Sequence, residues 1–245
     1  MPHAPQASTQ TAAERFRSWV VPVSIVVIAG VLIALVLAQF RGGAADAGDA
    51  TVPAPEPPDL SFVEARDPAD VQAMGPVDAP VGLVIYSDYQ CPFCATWSAE
   101  ILPEMQTAAR LGDLRIEWRD VNQYGPDSER AALAAHAAGR QGKFWEYHDA
   151  LFPNGEHLTP AQLGAEQLTE LAVGLGLDPA RFDADLASPE TLATVQQYAA
   201  EGRELGISGT PTFVLGGVPI VGAQPEGVFT DALHQALAAA RTEAP

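Results

Sequence analysis

Two cysteines are all that the 245-residue chain contains, and only Pro92 and Phe93 stand between them. A bond between Cys91 and Cys94 would close almost no loop, so it would add little as a staple against unfolding. Chemistry is the better use of such a pair. Cys91-Pro92-Phe93-Cys94 can cycle between dithiol and disulfide, with Cys91 as attacking thiolate and Cys94 as resolving thiol. Two metal readings compete. Structural zinc would need two more Cys or His ligands at suitable spacing, whereas His136, His148, His157 and His234 are scattered singly. A Cu(I) carrier could recruit one of those histidines, because thiolates suit that ion. Exchange takes precedence, with no metal and no cofactor expected.

The flanking residues supply the elements that must position the pair. Val81–Tyr86 (VGLVIY) reads as a buried strand and Ser87–Gln90 as a loop. Cys91 then opens a helical stretch to about Ala109, with Pro103 set to kink or break it. At a helix N-terminus, free N–H groups and the positive end of the macrodipole favour thiolate over thiol. Pro92 at the first helical position costs nothing, since its N–H would have been unpaired. Leu114–Val121 (LRIEWRDV) alternates with period two and reads as a second strand. Asp127 to about Leu205 is largely helical in several pieces, with starts at Thr159-Pro160-Ala161-Gln162 and Ser188-Pro189. Thr212–Leu215 and Val218–Val221 pair around Gly216-Gly217, and an amphipathic helix from Gln224 to about Arg241 closes the chain. Thr210-Pro211 lies just before a strand, where the X–Pro bond is open to either isomer.

The N-terminal part is of another kind. Residues 1–17 read as a disordered tail. From Ser18 to Phe40 there is no charged residue, and a helix of ~22 residues rises about 33 Å, enough for a hydrocarbon core of roughly 30 Å. Arg15 and Arg17 flank one end, while Arg41 alone, followed by Asp46 and Asp49, flanks the other. The positive-inside bias therefore puts the N-terminus in the cytoplasm and the bulk of the chain outside. The apolar core is longer than that of a cleaved signal peptide, so residues 18–40 are expected to be an uncleaved signal anchor; the Ala-rich stretch after Gly43 keeps cleavage open. Residues 41–60, rich in Gly, Ala, Asp and Pro, form a linker, and residues 61–245 the folded domain. The net charge is −18 overall and +2 over residues 1–41, so the rest carries −20. A domain that acidic repels phosphate backbones, and no nucleic-acid partner is expected. Without an obvious dimerisation domain, a monomer is expected.

Three segments carry a resemblance. SDYQCPFC after an apolar strand, KFWEYHDALF in a helical stretch and GTPTF before a hairpin resemble the DsbA family of thioredoxin-fold proteins. GPVDAPVGLVIYSDYQCPFC is similar to the membrane-tethered, Gram-positive-type members. The similarity runs in one order over roughly residues 60–240. It implies an α/β thioredoxin-like fold with a helical insertion at about 127–205. It also implies that Cys91 attacks or is attacked, that Cys94 resolves, and that Pro211 is cis. Thr210 would offer its backbone to an extended substrate beside Cys91, and Pro92-Phe93 would be the tuning dipeptide.

The activity so implied is extracytoplasmic thiol–disulfide exchange, as an oxidase giving its disulfide to reduced exported proteins and reoxidised by a quinone-linked membrane partner. A reductase or isomerase on the same fold is the first rival, and a Cu(I) or polypeptide carrier without turnover the second. One departure stands out. Many thioredoxin-fold oxidoreductases hold a buried carboxylate six residues before the first cysteine, and here that position is Ile85. Asp88 is the nearest acid, expected to be partly exposed and to cap the turn through an Asx contact. Phe144, Trp145, His148, Leu151 and Phe152 recur at helical spacing and, with Trp97 and Trp118, are expected to pack in the core.

Overall fold

In the computed structural model, which describes residues 58–243, the run Val81–Ser87 forms the central strand β2. All seven of its residues are buried, because both of its faces are covered. A short strand β1 (Ala73–Met74) precedes it, and helices α1 (Pro92–Glu100) and α2 (Leu102–Leu111) lead from it to β3 (Leu114–Asp120). The single residue between the two helices, Ile101, stands just before Pro103, so the expected break is observed. Five helices follow, α3 (Pro126–Gly139), α4 (Phe144–Leu151), α5 (Ala165–Gly174), α6 (Pro179–Leu186) and α7 (Pro189–Glu204). The hairpin β4 (Thr212–Leu215) and β5 (Val218–Val221) then leads into the last helix, α8 (Glu226–Glu243).

The strands form one mixed sheet in the order β1-β3-β2-β4-β5. β2 and β3 are parallel, with Ser87 opposite Asp120, while β2–β4, β4–β5 and β1–β3 are antiparallel. A β-α-β unit joined to a β-β-α unit, with helices inserted between them, is the thioredoxin-like arrangement with a helical insertion. Thr159 and Gln162 make the expected capping box, on a short 3-10 turn, and Ser188 caps α7. Residues 1–57 hold the expected tail, the transmembrane helix and nearly all of the linker, and they lie outside the described residues. Among the described residues, no helix is long and apolar enough to cross a membrane.

The larger core lies on the sheet face that carries Leu83, Ile85, Ile116 and Trp118. Trp97 of α1 packs there against Phe213 and Phe229, with ring centroids 4.5 and 5.5 Å away. The alanine-rich side of α3, Ala131 to Ala138, is buried in the same core, where small side chains allow close helix approach. Burial of such side chains, each worth about 1.5–3 kcal/mol when large and apolar, fixes α1 and hence the cysteines against the sheet.

The alternation along β3 separates two buried faces rather than a buried and a wet one. Arg115, Glu117 and Arg119 are at most 6% exposed. Arg119 donates to Glu117 at 2.7 Å and to Asp70 at 3.0 Å, and lies 4.5 Å over the Tyr198 ring. Glu117 also accepts the main-chain N–H groups of Ala65 and Arg66. Buried charges need such partners, and here they tie the start of the domain to the sheet.

Candidate active site

Cys91 sits at the N-cap of α1 with extended backbone (φ −88°, ψ 118°), and Pro92 takes the first helical position, as the sequence implies. Both cysteines are free thiols. The carbonyl of Cys91 accepts the N–H groups of Cys94 and Ala95, and its own N–H is held by the Asp88 carbonyl. The helical turn stacks Cys94 behind Cys91 and away from solvent; Cys94 is 1% exposed.

The two thiols are driven apart in acidity. The Cys94 thiol donates to the Cys91 sulfur, and this is the largest influence on it. The Thr210 hydroxyl and the N–H groups of Cys94 and Phe93 add to the effect; burial opposes it, and the Cys91 pKa falls from 9.0 to about 5. Cys94 moves the other way, pushed well above its usual range by burial and then by the charge on Cys91. The arrangement holds one thiolate ready while keeping its partner protonated.

Thr210-Pro211 is a cis peptide bond, the isomer the family resemblance implies. It brings the Thr210 carbonyl oxygen to 3.3 Å from the Cys91 sulfur. Phe93 is 63% exposed beside the cysteine pair. Thus Cys91, Cys94, Pro92, Phe93, Thr210 and Pro211 come together in one place, from the start of α1 and the entrance to β4.

Asp88 corrects one expectation. Its Asx contact is present, since Oδ1 accepts the Gln90 N–H at 2.8 Å, but the residue is fully buried rather than partly exposed. The reason is the loop after β3, whose Tyr124 N–H donates to Asp88 Oδ2 at 3.1 Å and closes over it. Ile85 packs in the core, so the position six residues before Cys91 holds no carboxylate. The buried acid of this region is instead Asp120 at the end of β3, which the sequence reading passed over. Its oxygens accept from Trp118 Nε1 at 2.8 Å and Gln72 Nε2 at 3.1 Å, and burial pushes its pKa up to about 7. Ser87, its neighbour across β2, places a hydroxyl beside the Cys94 sulfur. The only prior signal for Asp120 was the last polar position of an alternating strand.

The aromatic residues pack as expected. His148 is fully buried among Tyr89, Trp118, Phe144, Trp145 and Phe152, with Nδ1 3.2 Å from the Tyr89 hydroxyl. Burial lowers its pKa to about 3, so it stays neutral. Among the described residues, no group of three or more His, Cys, Asp or Glu is placed to hold a metal ion.

Fold and site together define a thioredoxin-fold protein with a Cys-Pro-Phe-Cys pair at the start of a helix and a cis proline beside it. The chain belongs to the thioredoxin family, whose model matches residues 68–235. Among solved structures, BdbD from Bacillus subtilis in its oxidised form superposes with a TM-score of 0.60 at 24% identity, covering 68% of this chain and 92% of that one. A thioredoxin-like oxidoreductase from Silicibacter pomeroyi DSS-3 gives a TM-score of 0.60 at 28% identity, with 76% and 98% covered. A curated relative, the Na(+)/H(+) antiporter NhaA 1 of Mycobacterium sp. (strain KMS), is 35% identical over 193 residues. That match takes in 77% of this chain but only 30% of the antiporter.

Proposed function

We propose that this protein is an extracytoplasmic oxidase that donates the Cys91–Cys94 disulfide to reduced exported proteins. The observation that carries the reading is the divergence of the two thiols, with Cys91 held near 5 and Cys94 far above its usual range. Stabilising the thiolate of the reduced pair makes the disulfide a stronger oxidant, because exchange then favours reduced protein and oxidised client. In this reading a client thiolate attacks Cys91, Cys94 leaves, and the client's second thiol releases the mixed disulfide. Thr210 and Pro211 bind the extended client segment next to Cys91, and Pro92-Phe93 tunes the pair.

The uncharged run 18–40 would anchor the domain outside the cytoplasmic membrane as a monomer, and a quinone-linked membrane partner would restore the disulfide. Membrane placement gains support from the curated relatives, in which the matching stretch belongs to chains named as Na(+)/H(+) antiporters. The test is oxidative refolding of a reduced multi-disulfide protein. Oxidised protein should accelerate it stoichiometrically, and no acceleration would overturn the oxidase. A reductase or isomerase would instead speed reshuffling of a scrambled substrate.

A further inference from the structure

Of the three segments that carry the family resemblance, KFWEYHDALF alone supplies no residue to the exchange site. The helical insertion nevertheless reaches that site through residues 88–90, the turn that joins β2 to Cys91. Within the turn, Asp88 accepts the N–H of Gln90 on its side chain and the N–H of Cys91 on its carbonyl. The two residues between, Tyr89 and Gln90, are both bonded to the insertion. The Gln90 side-chain amide donates to the Leu158 carbonyl at 3.0 Å. The Tyr89 ring is fully buried, 5.2 Å from Phe152 and 5.9 Å from Trp118, and its hydroxyl meets His148 Nδ1 at 3.2 Å.

His148 is not free to turn away from that contact. Trp118, Phe152 and Trp145 enclose its ring, with centroids 4.4, 5.3 and 5.6 Å away. The imidazole is neutral, because burial disfavours its charge, so one nitrogen carries the proton. With the proton on Nε2, the Tyr89 hydroxyl donates to Nδ1 and only the Nε2–H is left unpaired. With the proton on Nδ1, both the phenol proton and Nε2 would lack partners among the described residues. The first arrangement satisfies more of these buried polar atoms. Even so, Nε2 is buried with no partner, a cost that leucine or phenylalanine in the same place would not carry. What the imidazole contributes against that cost is its one hydrogen bond, to Tyr89.

We infer that His148 is a positioning residue of the exchange site: by holding Tyr89, it fixes the turn that sets Cys91 at the start of α1. This rests on the exchange reading above and gives the insertion a part in it. The Cys91 thiolate is stabilised by its placement against the Cys94 thiol, the Thr210 side chain and the N–H groups of Cys94 and Phe93. Hydrogen bonds weaken steeply as their geometry is lost, and those to a charge are the strong ones. Displacing the sulfur therefore costs the thiolate more than the thiol. A turn released from His148 favours the thiol and makes the disulfide a weaker oxidant. No proton or electron passes through His148, whose contribution is geometric.

The experiment compares the full chain with Tyr89→Phe, His148→Leu, the double variant and His148→Asn, by thiolate absorbance against pH and by equilibration with glutathione. Tyr89→Phe keeps the buried ring and loses only the hydroxyl. It should lower the Cys91 ionisation constant about threefold, part of the roughly fivefold that one neutral hydrogen bond represents, with oxidising strength lowered to match. His148→Leu should do the same. The double variant should go no further, because both substitutions break one bond. His148→Asn, whose side-chain oxygen can accept near the place of Nδ1, should recover most of the loss.

The oxidase reading is judged separately, on the unsubstituted chain: a reducing potential there would sink it and leave the Cys91 shift in the variants standing. If His148→Leu does not fold, Tyr89→Phe decides alone. Packing without positioning predicts variants that unfold at lower urea concentration while Cys91 titrates and equilibrates with glutathione as before. That result would overturn the inference.

Discussion

The Cys91 sulfur lies 3.3 Å from the main-chain carbonyl oxygen of Thr210, the residue before the cis proline. In the dithiol state the thiol donates to that carbonyl. Among the described residues the Thr210 hydroxyl is buried with no hydrogen-bond partner, which leaves it free for a thiolate at the same sulfur, whose pKa that side chain lowers. One residue thus meets both protonation states of Cys91, the neutral thiol through its backbone and the thiolate through its side chain.

Thr210→Val keeps the shape of the side chain and removes the hydroxyl. Cys91, held near 5, should then become about a tenfold weaker acid, the scale of a lost hydrogen bond to a charged group. The disulfide should become less oxidising in the same proportion. A pH titration of thiolate absorbance checks this, and an unchanged midpoint would rule the hydroxyl out as a donor.

Cys94→Ser should trap clients. Without Cys94 the protein has no disulfide to donate, but its Cys91 thiolate can still attack a client disulfide; with no Cys94 thiol to resolve it, that mixed disulfide should accumulate as adducts on non-reducing gels of exported proteins. Cys91→Ser should give none, because the Cys94 thiol is strongly disfavoured as a thiolate. Adducts from both variants, or from neither, would contradict the assigned roles.

Asp120 should make stability fall as pH rises. Its folded pKa of about 7 lies above its ordinary value of 3.8. Below about pH 4 both folded and unfolded chains hold the proton. Between about 4 and 7 the unfolded chain releases it while the folded chain keeps it, which favours unfolding progressively. The whole effect is on the order of 4 kcal/mol, levelling off above pH 7. Urea unfolding at several pH values should show this slope in the unsubstituted protein and its loss in Asp120→Asn; the same slope in both would show that Asp120 ionises normally.

Much of the site was legible because its signals are local. A cysteine pair between an apolar strand and a helix start, with proline at the first helical position, depends on neighbours within a few residues. The hairpin and the broken helix at Pro103 are of the same kind. What escaped was set by contacts between distant segments. Asp88 looked half-exposed because nothing near it in the chain shows that Tyr124, 36 residues on, donates to it. The period-two alternation of Leu114–Val121 says nothing of the burial of Arg115, Glu117 and Arg119, which depends on Asp70, Tyr198 and the backbone at Ala65 and Arg66. Asp120 bears no motif; only the pairing of β2 with β3, which sets it opposite Ser87, brings it to this end of the sheet.

The central claim, that this is an oxidant, is tested most directly by the reduction potential of the Cys91–Cys94 pair. The protein is equilibrated in glutathione buffers and followed by thiol alkylation or tryptophan fluorescence, with Trp97 three residues after Cys94 in the core as a reporter. A potential less negative than about −180 mV, toward the roughly −120 mV of a strong disulfide donor, is the expected result. A value at or below about −230 mV, in the range of reducing thioredoxin-fold proteins, would contradict it.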